Sequence, residues 1–500
     1  MKKSIIALVL LFSLVLTLSS CKGEDIMADG GGYDFVVGNS GASIDSSGSP
    51  EEYGKFIENE FISTSNENVS TFAADVDTAS YAYFRKLVNA GYSLSELNAT
   101  AGSAIRTEEM INYFDYGYSA PAENELFSTQ MQIANCPWNE NAQLLILGLN
   151  AKEIENAPKN NLVFLIDVSG SMDSSDKLGL LKTAFAHLTD KLGEDDVVSI
   201  VTYAGDSSVV LKGCSGSKKE TIINAVNSLK SGGSTNGQSG LKKAYEIAEE
   251  YFISGGNNRI IMASDGDLNV GISSEEELEK FVSEKRESGV FLSVLGFGTG
   301  NYKDSKMETI ADCGNGVYYY IDSETEAEKV FGTEIFSTLY TIAKDVKLQI
   351  TFNKESVEKY RLVGYENRLL NKEDFQNDTK DAGDLGAGHS LTVCYEIVLT
   401  DSAKTAEDAW LSLAVRYKNP DADKSEENNY SFGKEVYTEA PSDNFKFICA
   451  VIETSMIIRK SEYIGDITLE NIKKSLEDIT LTDPYKAQFY ELITKLIINK

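Results

Sequence analysis

The chain has 500 residues, more than one hydrophobic core usually holds, so several domains are expected. Hydrophobic residues make up 42% and charged residues 25%, the balance of folded globular domains rather than of a disordered or membrane-embedded chain. The formal net charge is −31; such a surface repels phosphate backbones, which argues against nucleic acid as a partner and suits divalent cations as ligands.

In chain order, Lys2 and Lys3 precede a mostly apolar run from Ile5 to Leu18, too short to span a bilayer comfortably, which ends in Leu18-Ser19-Ser20-Cys21. This pattern resembles the lipobox of bacterial lipoproteins. The resemblance implies that residues 1–21 are a signal peptide cut before Cys21, whose thiol then carries a diacylglycerol. The expected location is the cell envelope, with the chain lipid-anchored to a bacterial membrane and facing outside the cytoplasm. Residues 22–65 read as a flexible tether, because Gly30-Gly31-Gly32 and Ser46-Ser47-Gly48-Ser49 bury too little apolar surface to offset chain entropy.

Residues 66–155 form an amino-terminal module. Tyr81, Phe84, Leu87 and Val88 repeat at helical spacing, with Asp77 or Thr78 expected to cap that helix rather than bind metal. Glu108 and Glu109 are expected on a solvated helix face beside Met110, Ile111 and Phe114. Leu126–Ile133 and Gln143–Gly148 are strand-like. Residues 156–342 then alternate strands and helices. The strands are Asn161–Ile166, Val197–Thr202, Val209–Leu211, Arg259–Ala263, Val290–Leu295 and Val317–Ile321. Helices are expected behind Leu178, at 218–229, 238–252 and 274–288, and from about Glu324 to Tyr340. The pattern predicts an α/β domain with a doubly wound, mostly parallel sheet, whose ligand site sits at the carboxyl ends of the strands where their order reverses.

Residues 343–440 return to strands, at Val346–Phe352, Leu391–Leu399 and Leu411–Tyr417, and 441–500 shows the apolar spacing of a small helical cap. Two strands alone make a poor domain. The strands on either side are therefore expected to form one β-sandwich, with the α/β domain inserted between its halves. The cysteines other than Cys21 are odd in number and contain no C-x-x-C, which excludes a disulfide scaffold and a cysteine zinc site. His187 and His389 are too few for a histidine zinc site.

The first central strand ends on Asp167-Val168-Ser169-Gly170-Ser171 and a helix follows at once. Thr235 lies in Gly232-Gly-Ser-Thr-Asn236 before a helix, and Asp265 follows the Arg259–Ala263 strand directly. These three segments resemble the metal-ion-dependent adhesion site of von Willebrand factor type A (VWA) and integrin I domains, a Rossmann-like fold. The resemblance implies a metal set of Asp167, Ser169, Ser171, Thr235 and Asp265. The three hydroxyls would coordinate directly and the two aspartates through water, leaving a position open for a ligand carboxylate. Mg²⁺, which wants six oxygens and parts reluctantly with water, suits such a set, with Mn²⁺ or Ca²⁺ as substitutes. The competing expectation is that Ser169 and Ser171 only cap the following helix.

Ser70–Tyr81, Arg106–Tyr116 and Pro137-Trp138-Asn139 before the α/β domain are similar to the amino-terminal module of a family of bacterial VWA lipoproteins. Ala343–Gln349, Tyr360–Arg368 and Asp381–His389 after it are similar to that family's carboxyl-terminal module. Together they imply a lipid-anchored binding or adhesion protein whose partner is a protein offering a Glu or Asp carboxylate. With no nucleophile elbow, P-loop or zinc spacing, no enzyme is expected. The alternatives are a structural role in the envelope, with the metal only steadying the domain, and a hydrolase with a site in the flanking modules.

Overall fold

The apolar runs of the central region form a six-stranded sheet in a computed structural model that describes residues 57–154, 157–204, 207–232, 237–266, 275–298, 304–405, 407–420, 422 and 424–499. Across the sheet the strands run Tyr318–Ile321, Phe291–Phe297, Asn257–Ser264, Asn160–Asp167, Val197–Tyr203 and Ser207–Ser215. All neighbours are parallel except the last pair. Every residue of Asn160–Asp167 is buried because helices cover both faces. Leu162, Phe164 and Ile166 pack on one side with Leu181 and Phe185 of the helix Leu180–Lys191, where the Phe164 and Phe185 rings stack at 4.2 Å. Val163 and Leu165 pack on the other with Leu241 and Ala244 of Gly237–Glu250. Strand order reverses between Asn160–Asp167 and Asn257–Ser264, so Asp167 and Asp265 emerge side by side at the switch point.

The flanking strands form two further sheets that share one core. In the first, Ile62–Ser63, Val357–Val363, Ser390–Leu399, Gln143–Ala151 and Phe127–Asn135 follow one another, all antiparallel. The decisive pairing is Gln143–Ala151 with Ser390–Leu399, in register Leu147 to Val393, because it zips a strand from before the α/β domain onto one from after it. In the second sheet Thr341–Phe352 lies between Gly383–Gly386 and Leu411–Lys418, and Val69–Ala73 also pairs with it. The sheets meet through Phe352 against Tyr360 at 4.4 Å and Phe127 edge-on to Tyr417 at 5.0 Å. Three helices, Asp443–Arg459, Leu469–Glu477 and Pro484–Ile498, close the chain. The first and third pack on the amino-terminal helices Thr107–Asn112 and Ala79–Asn89, with Phe114 against Phe447 at 4.8 Å and Phe489 at 5.9 Å.

Several expectations need correction. The tether does not reach residue 65. Ile62–Ser63 pairs with Tyr360 and Lys359, Asn59 donates to the carbonyls of Leu362 and Gly364, and Thr64 donates to Val357 at 2.6 Å. The helix expected from Glu324 to Tyr340 is broken into Glu324–Glu328, a wide turn Lys329–Thr333 and Ile335–Leu339. It bends where buried Lys329 bonds Glu334 at 2.7 Å and lies 4.4 Å from the Tyr113 ring. A helix at Asp304–Cys313 and a strand at Gly383–Gly386 stand where no element was expected. The five described cysteines are free thiols, with Cys394 and Cys449 in the core. Among the described residues no helix is long and apolar enough to cross a membrane. Cys21 and the signal segment lie outside the described residues.

Candidate metal centre

At the end of the Asn160–Asp167 strand, the Val168 amide still bonds the Tyr203 carbonyl at 3.0 Å, so sheet pairing fixes the height of Asp167. The Asp167 carboxylate is fully buried. Its Oδ1 accepts the Ser169 amide at 2.8 Å and its Oδ2 accepts the Ser264 hydroxyl at 3.2 Å. Burial pushes Asp167 up to about 6; nearby Asp265 adds to the rise, and the bonds from Ser169 and Ser264 oppose it. A buried carboxylate in that condition gains from a cation.

Ser169 occupies the cap position of the short turn Gly170–Met172, yet its side chain makes no capping bond. Its hydroxyl instead faces that of Ser171 at 2.9 Å. The capping alternative therefore does not account for either hydroxyl, and the pair presents two neutral oxygens beside a carboxylate, the donor set that a small hard cation takes. Asp265 is almost completely buried, and its Oδ2 is bonded by Lys177 Nζ at 2.9 Å. Gly266, at φ +91°, turns the chain away from the strand end in a conformation that glycine adopts without strain. Thr235 lies outside the described residues. The loop leading to it is held at the site by the Gly232 amide on the Val168 carbonyl at 2.8 Å and by the Ser231 hydroxyl on Asp173 at 2.6 Å. The structure thus brings together Asp167, Ser169, Ser171 and Asp265, which fit a divalent cation. Lys177 is the neighbour that sequence reading passed over.

A second acidic cluster lies where the modules meet. Asp75, Glu109 and Glu308 are buried, with oxygens within 4.8 Å of one another. These carboxylates are already occupied by arginines. Arg106 bonds Glu109 at 2.7 Å and Glu308 at 2.6 Å, while Arg368 bonds Asp75 at 2.9 Å and Glu308 at 3.1 Å. The cluster is an ionic joint and not a metal centre. It also corrects two readings. Glu109 is not on a solvated face but fully buried, and it caps the Ala79–Asn89 helix from a distance by accepting the Ser80 amide and hydroxyl, both at 2.8 Å. Asp77 and Thr78 make no capping bond; Asp77 Oδ1 accepts the Tyr318 amide at 3.1 Å instead. Glu108 is likewise fully buried, and burial, with Glu366 and Asp75 nearby, lifts it to about 8. His187 and His389 lie away from the candidate centre, in the helix Leu180–Lys191 and beside Gly386 respectively.

Three family models and several known proteins are similar to this chain. Residues 161–333 match the family model "von Willebrand factor type A domain", 47–146 match "von Willebrand factor", and 337–497 match "Uncharacterized protein YfbK, C-terminal". The Escherichia coli K12 protein described as "Uncharacterized protein YfbK" is 40% identical over 470 residues, covering 88% of this chain and 80% of that one. The human inter-alpha-trypsin inhibitor heavy chain H3 is 27% identical over 274 residues, 50% of this chain and 30% of its own length. Among solved structures, a von Willebrand factor type A protein from Catenulispora acidiphila aligns over 77% of this chain and 98% of its own, at 15% identity and a TM-score of 0.42. With 40% identity along most of both chains and the three family models in sequence, this chain belongs to the YfbK family of proteins built around a VWA domain.

Proposed function

We propose that the chain is a lipid-anchored, extracytoplasmic binding protein that docks an acidic side chain of a protein partner on a Mg²⁺ ion held by its VWA domain. The observation that carries the reading is the paired hydroxyls of Ser169 and Ser171 beside buried Asp167, with Asp265 next to them at the strand switch point. Ser169, Ser171 and Thr235 would hold the ion directly, with Asp167 and Asp265 reaching it through water. A bound Mg²⁺ would offer a Lewis-acidic coordination position to a partner's Glu or Asp. Lys2-Lys3, the apolar run and Leu18-Ser19-Ser20-Cys21 support the anchoring and, with it, an envelope location for the folded part. The reading is of a binder rather than an enzyme, since the groups gathered at the centre are carboxylates, hydroxyls and one ammonium, suited to holding a cation.

The test is capture of a partner from envelope extract by the immobilised chain in Mg²⁺ or in EDTA, with Asp167→Ala in Mg²⁺ as the control. A protein retained by the native chain in Mg²⁺ and lost in both other arms supports docking on the ion. Retention in all three arms removes the centre from the function. Melting of the chain in EDTA favours the structural role instead.

A further inference from the structure

We propose that Lys177 is a built-in competitor of the divalent ion: its ammonium holds Asp265 while the ion is absent and gives up that carboxylate when the ion binds. The inference rests on the metal-site reading above and adds a residue that sets the affinity of the site. Lys177 Nζ lies 2.9 Å from Asp265 Oδ2 and 2.9 Å from the Ser171 carbonyl oxygen, so one ammonium touches two of the segments that carry the ligand set. The lysine side chain is 11% exposed and the aspartate 1%, so water does little to screen the pair. Lys177 and Asp265 are 88 residues apart, so tertiary structure rather than helix spacing makes this contact.

The position is built. The stem of Lys177 runs over Gly298, where a Cβ would fall 2.1 Å from the lysine Cε. Gly298 follows the Phe291–Phe297 strand at φ +76°, and its carbonyl accepts the Tyr320 hydroxyl, so the floor under the lysine is fixed. On the other side Asp176, the preceding residue, is tied to the Ser174 hydroxyl at 2.5 Å and to Lys86 Nζ at 3.1 Å. Lys86 belongs to the amino-terminal helix Ala79–Asn89, so another module steadies the turn that aims Lys177.

Two cations cannot share one buried carboxylate without cost. An ion that binds must first displace the ammonium from Asp265, and without the lysine that carboxylate is open from the start, so a divalent ion is held more strongly.

The experiment is Mn²⁺ titration of the full chain, read by calorimetry and water-proton relaxation, on the native protein, Lys177→Met, Asp167→Ala, Asp265→Asn and Asp265→Asn combined with Lys177→Met. Lys177→Met should bind Mn²⁺ about tenfold or more tightly than the native chain, and the gain should shrink to within about twofold in the Asp265→Asn background, where there is no carboxylate to contest. In EDTA the Lys177→Met chain should melt lower than the native one, and Mn²⁺ should raise its melting temperature by more. Lys177→Gln keeps a donor for the Ser171 carbonyl and carries the same expectations, so a methionine variant that fails to fold leaves the question open to decision. Equal or weaker binding by the lysine variants, at a site that Asp167→Ala abolishes, overturns the competition while leaving the metal site intact. An undiminished gain in the Asp265→Asn background overturns it as well, since repulsion would then act without the carboxylate. Absence of Asp167-dependent Mn²⁺ binding in every chain refutes the metal site and this inference together.

Discussion

Replacing Arg368 with methionine should expose how the modules are joined. The guanidinium comes from the carboxyl-terminal module, after the Val357–Val363 strand. It reaches Asp75 at 2.9 Å and Asp77 at 3.5 Å in the amino-terminal module, and Glu308 at 3.1 Å together with Asp312 in the VWA domain. Without it, three buried carboxylates and one half-exposed one are left with Arg106 as the remaining arginine, which already serves Glu109 and Glu308. Removing one partner of a buried ion pair costs about 3–5 kcal/mol, because the other charge stays buried and uncompensated. The loss should depend on pH in a definite direction. Burial already holds Asp77 and Glu308 well above the ordinary carboxylate range, and losing Arg368 raises them further. The folded variant then binds more protons than its unfolded chain, so its stability increases as pH falls, by about 1.4 kcal/mol per pH unit for each proton taken up. Urea denaturation at pH 8 and pH 6 would measure this. Far-ultraviolet circular dichroism reports the whole chain, and the fluorescence of Trp138 and Trp410 reports the flanking modules, where both tryptophans are buried. The native and variant curves should lie several kcal/mol apart at pH 8 and converge toward pH 6. A loss below about 1 kcal/mol at pH 8, or one equally large at pH 6, would show that the joint is not an ionic one.

Other consequences follow from the same structure. Glu453 is buried in the helix Asp443–Arg459, and burial alone lifts it to about 8, above its ordinary 4.5; its contribution is therefore fully present below pH 4.5 and lost as pH rises to 8. Glu453→Gln should remove that slope and stabilise the chain at pH 8 by about 1–3 kcal/mol, and an unchanged pH profile in thermal melts would contradict it. A fragment of residues 66–155 loses the partners of Val69–Ala73 and Gln143–Ala151 and keeps only the hairpin with Phe127–Asn135. It should show no cooperative melt, and a well-dispersed, cooperatively folding fragment would refute the shared sandwich. Cys21→Ala should abolish metabolic acyl labelling and leave the protein unprocessed or detached from the membrane; normal labelling would end the lipoprotein reading.

What the sequence made legible was the part governed by local pattern. Asn161–Ile166 and Arg259–Ala263 are continuous apolar runs, so their ends, and with them Asp167 and Asp265, could be placed at the carboxyl edge of a parallel sheet. The poverty of strands on each flank pointed to pairing across the inserted domain. Features made by distant partners were not legible. Glu109 looks like a surface acid because Met110, Ile111 and Phe114 supply the apolar face of its short helix, and only the fold brings it to Ser80, 29 residues away. The Asp304–Cys313 helix was passed over because its buried surface is partly ionic: beside Met307 and Ile310 it buries Glu308, which Arg106 and Arg368 bond. Asn59 and Thr64 join the sandwich through side-chain bonds to backbone, which leave no apolar signature. Lys177 reads as one more solvated lysine on an amphipathic segment until Gly298 and Asp265 are seen around it.

The proposed divalent ion on side-chain oxygens at the strand switch point is tested by calorimetric titration of Mg²⁺ into the full chain, repeated with Ser171→Ala and Thr235→Ala. The native chain should bind a single ion, binding should be lost or weakened by at least about 100-fold in either variant, since each removes a direct ligand, and far-ultraviolet circular dichroism should be unchanged in all three. Native-strength Mg²⁺ binding by both variants, or none by the native chain, would contradict it.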